Sequence, residues 1–83
     1  MMLTIHKTIL SYEIPMGFYV PRSMLEELLP EAWRVWVEED LDSDHIMIEM
    51  RGNISIVKLR EIETRLDAWL LKLMAQAEEA MLE

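Results

Sequence analysis

Apolar residues recur every three to four positions through the last third of the chain. From Ser55 to Glu83, Ile56, Leu59, Ile62, Leu66, Trp69, Leu70, Leu73, Met74, Ala77, Ala80 and Met81 fall on one face of a helix. Lys58, Glu61, Arg65, Lys72, Gln76, Glu79 and Glu83 fall on the opposite side, with Glu61 four residues before Arg65 in the favourable order. The pattern predicts one long amphipathic helix that covers a core, capped at its start by Ser55 or Asn53. A competing reading makes Ile54 to Val57 a short strand after a Gly52-Asn53 turn. The helix is preferred because Ile56 and Leu59 already lie on its apolar face.

Upstream the period shortens to two. Trp33, Val35 and Val37 alternate with Arg34, Trp36 and Glu38, and Ile46, Ile48 and Met50 alternate with His45, Met47 and Glu49. Between these runs lies Glu39-Asp40-Leu41-Asp42-Ser43-Asp44, polar and turn-forming, so the pair predicts a β-hairpin with an acidic tip. Leu3 to Ile14 predicts another strand, rich in β-branched residues and ended by Pro15 and Gly17. Its apolar groups occupy both faces, Leu3, Ile5 and Ile9 on one and Leu10, Tyr12 and Ile14 on the other. Phe18-Tyr19-Val20 predicts a short extended piece closed by Pro21. Ser23 and Glu26 have capping-box spacing, which predicts a helix of about two turns from Met24, stopped by Pro30. Together these elements make a single α+β domain over residues 1–83. It has a small antiparallel sheet of three or four strands with a central acidic-tipped hairpin, one short helix, and a long C-terminal helix packed across the sheet.

Composition narrows the function classes. A chain of 83 residues has room for one core. Without cysteine it has no disulfide framework and no thiolate metal site, and the cytoplasm is the expected compartment. No apolar run approaches the roughly 18 residues of a membrane span, and the amino terminus lacks a signal-peptide pattern. Sixteen acidic residues against 8 basic ones give a net charge of -8, which argues against direct binding to nucleic acid or anionic lipid. The expected partner is a protein with a basic or apolar surface. Much of the charge sits in residues 38–49, where Glu38, Glu39, Asp40, Asp42, Asp44 and Glu49 occur with no Lys or Arg.

Candidate chemistry is sparse. Asp40, Asp42 and Asp44 match the first, third and fifth ligands of a calcium loop, but His45 stands where the loop needs Gly and Arg51 where it needs a bidentate Glu. The segment therefore reads as a solvated hairpin tip. His6 and His45 lack a metal-ligand spacing. Ser11, Ser23, Ser43 and Ser55 lack the glycine setting of a nucleophile elbow, and Gly17 and Gly52 do not make a phosphate loop. No enzyme activity, cofactor or metal is expected.

The aromatic residues and the helix length point instead to surfaces. Trp33 and Trp69 are expected to pack together between hairpin and helix. Trp36 alternates to the other sheet face beside Met47, and Tyr12 or Leu10 would lie uncovered with them unless the short helix covers that face. A helix of this length, about 40 Å, exceeds a globule whose radius of gyration would be about 12 Å, so its last turns are expected to overhang. There Leu71, Ala75 and Leu82, together with Met74 and Met81, would offer an apolar seam for a homodimer or a partner groove. The sequence thus reads as a non-catalytic protein-binding module, in the manner of an acidic inhibitor or neutraliser occupying a basic, nucleic-acid-binding surface. Glu38, Glu39, Asp40, Asp42, Asp44, Trp36 and Met47 form its expected partner surface. The alternative is a structural or regulatory subunit that docks through the long helix.

Overall fold

The computed structural model describes residues 1–82, with side chains as far as Ala80. Its elements are β1 (Lys7–Ile14), α1 (Arg22–Leu28), β2 (Arg34–Glu39), β3 (Asp44–Arg51) and α2 (Ile56–Leu82). The three strands form one antiparallel sheet in the order β1-β3-β2. The fold is α+β, a three-stranded sheet with one short and one long helix.

The register sorts the side chains. Pairing runs from Lys7↔Arg51 to Ile14↔Asp44 on one side of β3, and from Arg34↔Glu49 to Glu39↔Asp44 on the other. Strand alternation then sends Leu10, Tyr12, Ile14, Val35, Val37, Ile46, Ile48 and Met50 to one face. Ile62 and Leu66 of α2, Leu25 of α1 and Leu29 just after α1 close over that face, and with Ile14, Val35, Ile46, Ile48 and Met50 they form the buried core. Both helices therefore lie on the same side of the sheet.

α2 runs antiparallel to β3. Leu59 and Ile62 lie beside Leu10 and Ile48, while Asp67, two turns on, meets Tyr12 near the far end of the sheet. A strand of eight residues spans about 27 Å and a helix of 27 residues about 40 Å, so the helix outruns the sheet. Trp69 and Leu70 are the last helix residues packed on the core. The Cα radius of gyration is 14.7 Å with extents of 62 × 26 × 20 Å, longer than a compact chain of this size.

The start of α2 is capped as its sequence suggests: Ser55 Oγ accepts the Lys58 backbone N–H at 3.1 Å. Gly52, at φ +75°, makes the turn that leads from β3 toward it. Ile54 packs against the core rather than joining a fourth strand. The capping box at Ser23 does not form. α1 begins one residue before it, at Arg22, with Pro21 in the cap position and no side-chain cap. Proline at φ -69° already has the extended cap geometry, and its carbonyl accepts from the N–H groups of Met24 and Leu25. Ser23 is thereby carried inside the first turn.

Two further expectations give way. β1 starts at Lys7 rather than Leu3, although the Gly52 N–H still reaches the His6 carbonyl at 2.8 Å. Trp33 and Trp69 do not pack together. Trp33 precedes β2, its N–H bonds the Glu49 carbonyl, and it lies at the end of the sheet where α2 begins; Trp69 sits on the core near the opposite end. Trp33 is consequently 58% exposed.

A charged clasp ties the two helical regions. Glu31, in the link between α1 and β2, accepts from Arg65 at 2.6 Å and pairs with Lys58 at 2.7 Å, and Arg65 also donates to the Leu28 carbonyl at 3.1 Å. The Arg65 guanidinium, helped by Lys58, holds the Glu31 carboxyl down to about 2. Lys58 and Arg65 lie seven residues apart, two helical turns, so both reach the same carboxylate.

Candidate functional site

The hairpin tip is a tight, ordered turn. The Asp40 N–H donates to the Ser43 carbonyl at 3.0 Å, and Asp40 Oδ1 accepts the Leu41 N–H at 2.7 Å. This arrangement turns Leu41 outward and leaves Glu38, Glu39, Asp40 and Asp42 exposed, with Asp44 half-buried. None of these five carboxylates takes part in an ion pair among the described residues. Glu49, the sixth acidic residue of the charged segment, behaves differently. It lies in mid-sheet, 8% exposed, and its carboxylate meets the Arg34 guanidinium at 3.4 Å. Within residues 38–49 the unpaired carboxylates are therefore the five at and beside the tip, without Glu49.

The sheet face opposite the helices adjoins this tip. It carries Lys7, Ile9, Ser11 and Glu13 from β1, His45, Met47, Glu49 and Arg51 from β3, and Arg34, Trp36 and Glu38 from β2. Trp36 and Met47 are direct cross-strand partners, both half-buried. The indole N–H of Trp36 donates to Glu38 at 3.1 Å, and the Arg34 guanidinium lies 4.5 Å from its ring centre. Arg51 stacks on Trp33 at 3.4 Å in the same way. Leu10 and Tyr12 are not part of this face. The β1 register turns them toward α2, and Ile9, 47% exposed, occupies the place expected for them.

His45 bridges two hydroxyls, Ser11 at 3.3 Å and Ser43 at 3.4 Å, and His6 lies in the exposed segment before β1. Among the described residues no group of His, Asp and Glu is arranged to hold a metal ion.

Beyond Leu70, α2 presents Leu71 at 69% and Met74 at 38% exposure, with Ala75 also exposed. The side chains of Met81 and Leu82, also expected at a dimer seam, lie outside the described residues. No described helix is long and apolar enough to cross a membrane.

A groove of about 230 Å³ between β1 and α2 was not anticipated. Leu10, Tyr12, Ile48, Leu59, Ile62 and Leu66 line it, with Ser11 and Glu63 at its polar side. Next to it Tyr12 donates its hydroxyl to Asp67 at 2.5 Å, and burial together with this carboxylate pushes the phenol up to about 12. The helical spacing of Glu63 and Asp67 was the available signal, since it places two carboxylates on the side of α2 that β1 meets.

No family model, curated relative or solved structure matches this chain. The functional reading accordingly rests on the geometry of the tip, the open sheet face and the helix end.

Proposed function

We infer a non-catalytic protein-binding module whose acidic hairpin tip seats on a basic surface of another protein, as an inhibitor or neutraliser of a nucleic-acid-binding site would. The observation that carries this reading is the unpaired charge of the tip. Arg34, Lys58, Arg60 and Arg65 are all engaged in ion pairs elsewhere. Five carboxylates within seven residues keep their field for something outside the chain. Exposed charge of one sign speeds encounter with an opposite surface and selects against acidic partners. Trp36 and Met47, on the adjoining open face, supply the apolar contact that charge alone does not give. A basic surface occupied this way is closed to phosphates.

The test is capture from lysate on the immobilised chain, wild type beside the triple variant Asp40→Asn, Asp42→Asn, Asp44→Asn. The reading expects basic proteins retained by the wild type, released by salt and by duplex DNA, and lost from the triple variant. Retention of the same proteins by the triple variant, with the same salt dependence, overturns it.

A second reading has its own observation. Leu71 and Met74 stand exposed on a helix that has left the sheet, as a segment docking into a larger assembly would. In that case Leu71→Asp abolishes association and the tip variants bind normally.

A further inference from the structure

The two edges of the sheet are not equivalent. α1 runs alongside β2, where Val20, Arg22 and Leu25 face Trp36 and Val37. β1, eight residues long, pairs with no strand on its outer edge among the described residues. The direction of its backbone groups follows from one bond. Gly52 lies opposite His6 in the β1–β3 register, and its N–H donates to the His6 carbonyl. In an antiparallel ladder such groups alternate sides, so the even-numbered residues bond β3, while Lys7, Ile9, Ser11 and Glu13 turn both N–H and C=O outward.

We propose that this edge pairs with β1 of a second copy of the chain, antiparallel, about a two-fold axis beside Leu10. Two conditions restrict the register, and a third, that all four outward residues be engaged, selects it. Outward groups must meet outward groups, and each face of the sheet must continue as the same face. Centring on Leu10 satisfies both and engages all four outward residues: Lys7 lies opposite Glu13 of the second copy, Ile9 opposite Ser11, Leu10 opposite Leu10. The two-fold repeats each contact, so two Lys–Glu pairs flank the joint. A slip of two residues in either direction loses backbone bonds and sets Lys7 against Ser11, or Glu13 against Ile9.

Charge complementarity is the reason the occupant is a second copy. Free edges are commonly guarded by like charges, lysine above all, which repel a neighbouring edge. Here the edge carries one Lys and one Glu, placed symmetrically about Leu10, and under a two-fold the guard becomes an attraction. The apolar groove between β1 and α2 opens beside the same axis. In the pair the two grooves face each other, and Leu59, 38% exposed, gains cover. The acidic tip and the far end of α2 take no part, so this pairing stands or falls independently of the partner binding proposed above.

Sedimentation equilibrium on the full chain tests the pairing. The wild type is expected to dimerise, and Lys7→Glu or Glu13→Lys alone to weaken the dimer about tenfold or more, because each places like charges opposite one another twice. The double variant Lys7→Glu, Glu13→Lys restores the pairs and is expected to return to within about threefold of wild type. Ile9→Pro removes an outward N–H without touching the β3 ladder, and should give a monomer with unchanged circular dichroism. The register has its own check in a chain that contains no cysteine: Leu10→Cys should oxidise to a covalent dimer and Ser11→Cys should not. A wild type that stays monomeric at the highest soluble concentration overturns the proposal. So does a dimer that survives Lys7→Glu and Ile9→Pro but dissolves on Leu71→Asp.

Discussion

The two halves of α2 carry the same apolar period and meet different fates. Between Ile62 and Leu70 the stripe lies on a sheet, and Ile62 and Leu66 are 2% and 1% exposed. Past Leu70 it continues beyond the end of the sheet, where Leu73 is half-buried, Met74 is 38% exposed and Ala77 and Ala80 are exposed. Periodicity thus specifies which side of a helix is apolar, while the length of the neighbouring strands decides how much of that side is covered. An amphipathic stripe states an offer of burial; the sheet accepts about half of it.

Substitutions along the helix should divide at the same point. Leu66→Ala removes a fully buried side chain from the core and should cost about 2–5 kcal/mol in urea unfolding. Next in size is Glu31→Gln, which leaves Arg65 and Lys58 without their shared carboxylate and should cost about 1–2 kcal/mol, given that the clasp is partly solvated. This loss depends on pH. The Glu31 carboxyl titrates near 2 when folded and from 4.5 when free, so its contribution is complete above 4.5 and fades as the pH falls toward 2. The variant should show a shallower loss of stability across that acid range.

Tyr12→Phe ranks third, with a cost of about 0.5–1 kcal/mol from the lost bond to Asp67. Burial, with the Asp67 carboxylate, raises the phenol from 10.0 to about 12, so the neutral phenol's contribution is complete below pH 10 and is lost as the pH climbs between those values. Thermal unfolding at pH 9 and pH 11 should show the difference between wild type and variant shrinking. The smallest effect belongs to Leu71→Ser, expected within about 0.5 kcal/mol of wild type by the same urea titration. A large loss there would mean that the far half of α2 is covered after all.

Much of this fold is legible in local patterns. The alternation about Val35 and Ile48, the acidic run between the strands and Ser55 at the helix start each depend on neighbours within a few residues, and each appears where its pattern places it. The departures share a cause in longer-range competition. Ser23 has the right spacing for a cap but loses to Pro21, whose fixed φ starts the helix earlier. Trp33 belongs to the apolar alternation of β2, yet it sits outside the strand, where Arg51 stacks on it instead of α2 covering it. The alternation around Tyr12 and Leu10 is imperfect, and only pairing with Ile46 and Ile48 settles which face they take. The candidate surface divides in the same way. The charge of the tip is written in consecutive residues, whereas Glu49 looks equivalent in the sequence and is withdrawn by Arg34 from a different strand.

The order β1-β3-β2 also sets a sequence of events. β2 and β3 are joined by a short turn and can zip together at little cost in chain entropy. β1 must wait, because its partner lies 44 residues away at Lys7↔Arg51 and 30 away at Ile14↔Asp44. Folding should therefore nucleate on the hairpin with the early turns of α2, and φ-values should be high at Val37 and Ile46 and low at Leu10. The last strand to arrive is the one that forms the bare edge of the finished sheet.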